Sequence, residues 1–156
     1  MKKRWKPNPR AKTIAKHAAA TKSPSLSLPR IGLEGAFERI IPHEWTIRAY
    51  DPRLPDALST PAMIGMMEIA AGIAIQAELP SGVISVGTRI EVDHLKAVPS
   101  GTLVRATARL AKHKGRFMIF DVEARAGQHM IGRGRVFRAI VEPAKFRAKA
   151  QSHSSS

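Results

Sequence analysis

The stretch Ser59–Leu79, STPAMIGMMEIAAGIAIQAEL, decides how the rest of the chain must be arranged. Ser59 and Thr60 can cap a helix, and Pro61 suits a first turn, where a missing N–H costs nothing. The residues that follow are Ala, Met, Ile and Gly on every side, and a helix apolar all round is enclosed by protein or by lipid. Glu68, Gln76 and Glu78 interrupt the run and Pro80 ends it, short of the roughly 20 unbroken apolar residues that span a bilayer. The sequence therefore predicts one central helix wrapped by the remainder of the fold. A carboxylate, Glu68, stands in its middle, where an unpaired charge is costly.

Outward from this helix the chain changes period. Residues 84–97, 102–113, 116–126 and 129–141 alternate apolar and polar, the signature of half-buried strands. In the first of these, Val86, Thr88, Ile90, Val92 and His94 share one face, and Arg89, Glu91 and Asp93 the other. Val104, Ala106, Ala108 and Leu110, then Met118, Phe120, Val122 and Ala124, supply the inward faces of the next two. Gly132, Gly134, Val136, Arg138 and Ile140 share a face of the last, where the glycines allow close approach. Turns fall at Pro99-Ser100-Gly101, Lys114-Gly115 and Ala126-Gly127-Gln128. Before the helix, residues 36–41 read as a strand and residues 44–48 as a second extended piece. One strand, one long helix and a four-strand antiparallel meander make an α+β domain. Its apolar sheet face is satisfied by curling around the helix, which is the hot-dog fold.

Residues 31–141 form that domain. Its 156-residue chain has no cysteine, which fits a reducing, cytoplasmic setting and leaves no thiolate metal site. The formal charge of +14 is uneven. Nine of the 26 Lys and Arg, and none of the 12 acids, lie in residues 1–30, leaving 17 basic against 12 acidic residues elsewhere. Residues 1–30 read as a disordered basic arm without a signal-peptide core, and residues 142–156 as a charged, Ser-rich tail. The domain lacks the interleaved aromatics of single-strand binders, so neither nucleic acid nor membrane is an expected partner.

Two polar residues stand where the pattern calls for apolar ones: Glu68 on the helix and His94 on the sheet face toward it. A carboxylate and an imidazole together can activate a nucleophile or a water. Thr60 adds a hydroxyl at the helix start, where backbone N–H groups favour developing negative charge. Thr60 and Glu68 are eight residues apart, about 12 Å along an ideal helix. They share a site only if the helix starts after Pro61, bends near Gly65, or is completed by a partner subunit. Read blandly, Thr60 is a cap, His94 a bonded core histidine, and Glu68 the partner of a buried arginine.

With these residues in view, the chain from about Gly32 to Val141 resembles the hot-dog thioesterase family that includes the fluoroacetyl-CoA thioesterases. The family's catalytic Thr, Glu and His match Thr60 in Ser-Thr-Pro, Glu68 in Met-Met-Glu and His94 in Val-Asp-His-Leu. Its substrate-contacting glycine and arginine match Gly87 in Ser-Val-Gly-Thr and Arg138 in Gly-Arg-Val-Phe-Arg. The resemblance implies hydrolysis of a short or small acyl-CoA thioester, with Thr60 or Glu68 as nucleophile and His94 relaying protons. No cofactor or metal is implied beyond the coenzyme A of the substrate. Lys112, Lys114, Arg116, Arg133 and Arg135 are candidates for its phosphates, and Tyr50, Leu54 and Leu58 for the acyl pocket. A hot-dog dehydratase and a non-catalytic acyl-CoA-binding protein are the rival readings. An exposed sheet edge predicts a homodimer or dimer of dimers with sites near the interface.

Overall fold

The computed structural model describes residues 27–152. Five antiparallel strands run β1 (Glu34–Ile40), β2 (Ile84–His94), β3 (Leu103–Lys114), β4 (Phe117–Ala126) and β5 (His129–Val141). They lie in the order β1-β3-β4-β5-β2 around helix α1 (Thr60–Gln76). The central helix and the four strands after it lie where the periodicities put them, but the expected four-strand meander is not formed: only β3, β4 and β5 follow one another, while β2 crosses to the far edge and pairs with β5, and β1 takes the place beside β3. The inward rows of β3 and β4 are buried throughout, and with Met63, Met66, Met67, Ala70, Ala71, Ala74 and Ile75 of α1 they form one core. Small residues set the closeness of helix to sheet. A Cβ on Gly35 of β1 would overlap the backbone of Ala70 and Ala74, and one on Gly132 of β5 would meet the Met63 sulfur.

Four further features depart from the sequence reading. Residues 44–48 are extended only at Thr46, which bridges Leu58; two 3₁₀ turns, His43–Trp45 and Ile47–Ala49, take up the rest of that span. Backbone bonds there are spent on a clasp, with Ile47 N–H donating to Ala57 O and Ser59 N–H to Trp45 O. The helix is not enclosed on all sides, because Ile69 and Ile73 are 44% and 43% exposed on one stripe. A β-bulge between Gly87 and Arg89 inserts Thr88 as an extra residue in β2. One extra residue reverses which side chains face inward. Ser85 and Gly87 therefore look toward the helix, while Val86 and Thr88, expected there, line a groove on the outer face. Finally, Pro143–Ser152, expected to be part of a tail, forms a second helix, α2.

The basic arm lies outside the described residues as far as position 26, and the last four residues of the tail lie outside them too. Residues 27–30 belong with the fold. Leu28 packs against the core, and Arg30 donates from its backbone N and Nε to the Glu78 carboxylate at 2.8 and 2.6 Å.

Candidate active site

The start of α1 is fixed from several directions. Ser59 is the cap, its hydroxyl accepting from Ala62 N–H, with Pro61 in the first turn. Leu58 N–H donates to Val98 O, and Asp56 accepts from both the backbone N–H and the hydroxyl of Ser100. Those two bonds, the hydroxyl first, hold the Asp56 carboxyl below its ordinary range. The helix thus begins at Thr60, which removes a later start as a way of bringing Thr60 and Glu68 together.

Across from this helix start is the end of β2. Thr60 Oγ1 lies 2.9 Å from His94 Nδ1. The other ring nitrogen, Nε2, is buried and has no partner among the described residues.

Glu68 belongs to a second cluster. Its carboxylate lies against Gly87, where a Cβ would overlap Oε1. Arg138 of β5 approaches from the side, with Nη1 3.9 Å from Glu68 Oε1 and donating to Glu68 O at 3.1 Å. Arg138 Nε donates to Ser85 Oγ at 3.0 Å and Nη2 to Ser85 O at 2.9 Å. Burial pushes the guanidinium below the usual arginine value, and the Glu68 charge acts in the opposite direction. The expected facing of Glu68 and His94 does not occur within one chain. β2 carries Gly87 beside Glu68 and His94 beside Thr60, and these contacts sit at opposite ends of the strand. Ser85 was not among the residues singled out. The signal for it is Gly87, since a glycine inside a strand marks a bulge or a close approach.

The candidates for phosphate and acyl binding divide as well. Lys112 and Lys114 line a recess of about 410 Å³ on the outer face with Arg89, Phe117 and Phe137, and Arg116 borders the larger groove beside it. Arg135 is paired with Asp121 at 3.5 Å, and Arg133 stands in register between Asp93 and Glu123, so their charges are offset on the sheet. Leu58 is a core residue, 2% exposed, whereas Tyr50 and Leu54 are exposed. Among the described residues no three His, Asp or Glu side chains converge as a metal site would require.

A single helix cupped by a five-stranded antiparallel sheet, with a hydroxyl–imidazole pair at the helix start, is the layout of a hot-dog thioester hydrolase. Residues 41–144 match the model of the fluoroacetyl-CoA-specific thioesterases, and the chain belongs to that family. It is 34% identical over 128 residues to the fluoroacetyl-CoA thioesterase of Streptantibioticus cattleyicolor, covering 78% of this chain and 92% of that one. A solved structure of a fluoroacetyl-CoA thioesterase superposes with a TM-score of 0.74 at 33% identity, covering 79% of this chain and 96% of the other. A Thermus thermophilus member of the thioesterase superfamily gives 0.76 at 28% identity, covering 82% and 95%. The protein is an acyl-CoA thioester hydrolase.

Proposed function

We propose that the protein hydrolyses short or small acyl-CoA thioesters at a site completed by two copies of the chain. The Thr60–His94 hydrogen bond carries this reading. Thr60 Oγ attacks the thioester carbonyl carbon and its proton passes to His94 Nδ1, while the positive end of the α1 dipole favours the oxyanion. The C–S bond breaks, the thiolate takes the proton from Nδ1, and an acyl ester remains on Thr60. Water then cleaves that ester with a carboxylate as base, and this is the role of Glu68.

Glu68 reaches Thr60 from the partner subunit. β2 is an edge strand, and two copies pairing there antiparallel about a two-fold axis near Ile90 bring each Gly87 opposite the partner's His94. The carboxylate beside Gly87 then arrives at the partner's Thr60. Lys112 and Lys114 are the cations offered to the phosphates of coenzyme A. No helix among the described residues is long and apolar enough to cross a membrane, and a cysteine-free chain acting on coenzyme A esters suits the cytoplasm.

Mixing inactive Glu68→Ala and His94→Ala chains tests the arrangement. Each mixed dimer then holds one intact site, and random exchange restores about a quarter of wild-type turnover. No recovery after demonstrated exchange overturns the shared site. With Glu68→Gln, mass spectrometry should find the acyl group on the peptide containing Thr60. An acyl group on Glu68 in Thr60→Ala would reverse the assignment of nucleophile.

A further inference from the structure

We infer that Ser85 is a positioning residue for the reaction, acting through Arg138 to hold the Glu68 carboxylate in place. The inference rests on the catalytic role proposed for Glu68. Arg138 is not a free cation awaiting a substrate phosphate. Its side chain is 11% exposed, and three of its five N–H donors are committed, two to Ser85 and one to the Glu68 carbonyl. One guanidinium thus ties β2 to the mid-point of α1 and leaves Nη1 beside Glu68 Oε1.

The surroundings of Glu68 fit this clamp. Gly87 leaves the space the carboxylate occupies. Ser85 faces Arg138 because the bulge at Thr88 turns that end of β2 inward. A planar guanidinium gripped by both the hydroxyl and the carbonyl of one residue cannot swing away from Glu68 without breaking two bonds. An anchored cation keeps the carboxylate at one position, and catalysis is sensitive to displacements of about 1 Å.

The clamp and a substrate-anion role for Arg138 predict opposite kinetics. Ser85→Ala should lower kcat about 10-fold, the worth of one hydrogen bond to a charged group, with KM within about twofold of wild type. Ser85→Thr, which restores the hydroxyl, should recover most of the loss. Arg138→Lys, whose single ammonium cannot hold Ser85 and Glu68 together, should also lose kcat, and adding Ser85→Ala to it should cost little more. The Arg138→Lys variant decides the matter alone if Ser85→Ala does not fold by circular dichroism. A raised KM with unchanged kcat in either variant overturns the clamp. Glu68→Ala, run alongside, separates the two claims. Full activity there removes the catalytic reading of Glu68, whereas an inactive Glu68→Ala beside a wild-type Ser85→Ala removes only the inference about Ser85.

Discussion

Thr60 and His94, 34 positions apart in sequence, meet with Oγ1 2.9 Å from Nδ1, and the far nitrogen of the ring is sealed in protein. The hydroxyl and the nitrogen nearer the His94 backbone are thus within proton-transfer distance. His94→Gln and Thr60→Val should each lower kcat by about 10²- to 10⁴-fold, the range of a lost general base or its partner. Thr60→Ser, which keeps the oxygen, should stay within about tenfold. Steady-state kinetics on acetyl-CoA and propionyl-CoA measure this. A Thr60→Val enzyme with wild-type kcat would show the hydroxyl to be a bystander.

Gly87 shares its space with a carboxylate. Gly87→Ala places a methyl where Glu68 Oε1 lies, so the carboxylate must move while the edge strand itself is undisturbed. Activity should fall by at least about tenfold, with a circular dichroism spectrum and a mass in solution like those of wild type. An active Gly87→Ala enzyme would mean that Glu68 has freedom the packing denies it.

Gly35 tests the fold in place of the chemistry. Its missing side chain is what lets β1 touch the backbone of α1 at Ala70 and Ala74, and backbone cannot give way as a side chain end can. Gly35→Ala should destabilise by about 2–3 kcal/mol, the upper range for overpacking. Thermal denaturation checks this, and an unchanged melting temperature would show that strand and helix can part at no cost.

Asp56 gives a stability that depends on pH. Its carboxyl is held low, chiefly by the Ser100 hydroxyl, so its contribution is complete above the unfolded carboxyl pKa of about 4 and is lost as pH falls through the lower folded value. Melting temperatures of wild type and Asp56→Asn should differ at pH 7 and converge toward pH 3. A gap that does not change with pH would place the effect elsewhere.

Lys112 and Lys114 are tested by shortening the substrate. Charge reversal of both should raise KM for acyl-CoA but not for the same acyl group on N-acetylcysteamine, which has no phosphates, and the difference should shrink in high salt. Equal effects on both substrates would move the phosphates to another surface.

The strands and the helix were legible because their periods are clean: the inward rows Val104–Leu110 and Met118–Ala124 alternate without a fault until the helix is covered. Trp45 and Ile47 mimic the same alternation, yet the backbone there turns to clasp Ala57 and Ser59, a tertiary demand that local pattern does not carry. Thr60, Glu68 and His94 could be picked out as polar groups in apolar company. Their grouping could not, because it depends on the direction in which β2 passes the helix and on one supernumerary residue. Arg138 was singled out by resemblance and lies beside Glu68, while its partner Ser85 was hidden by an alternation that the bulge reverses.

Thr88 makes β2 a strand of two halves with independent phase. The half ending at Gly87 faces the Glu68 carboxylate and the half ending at His94 faces Thr60, and a change of phase in one does not rotate the side chains of the other. Excising that single residue should leave the length and edge of the strand nearly intact, yet turn Val86 toward Glu68 and Ser85 toward solvent, disabling one half of the machinery while sparing the other.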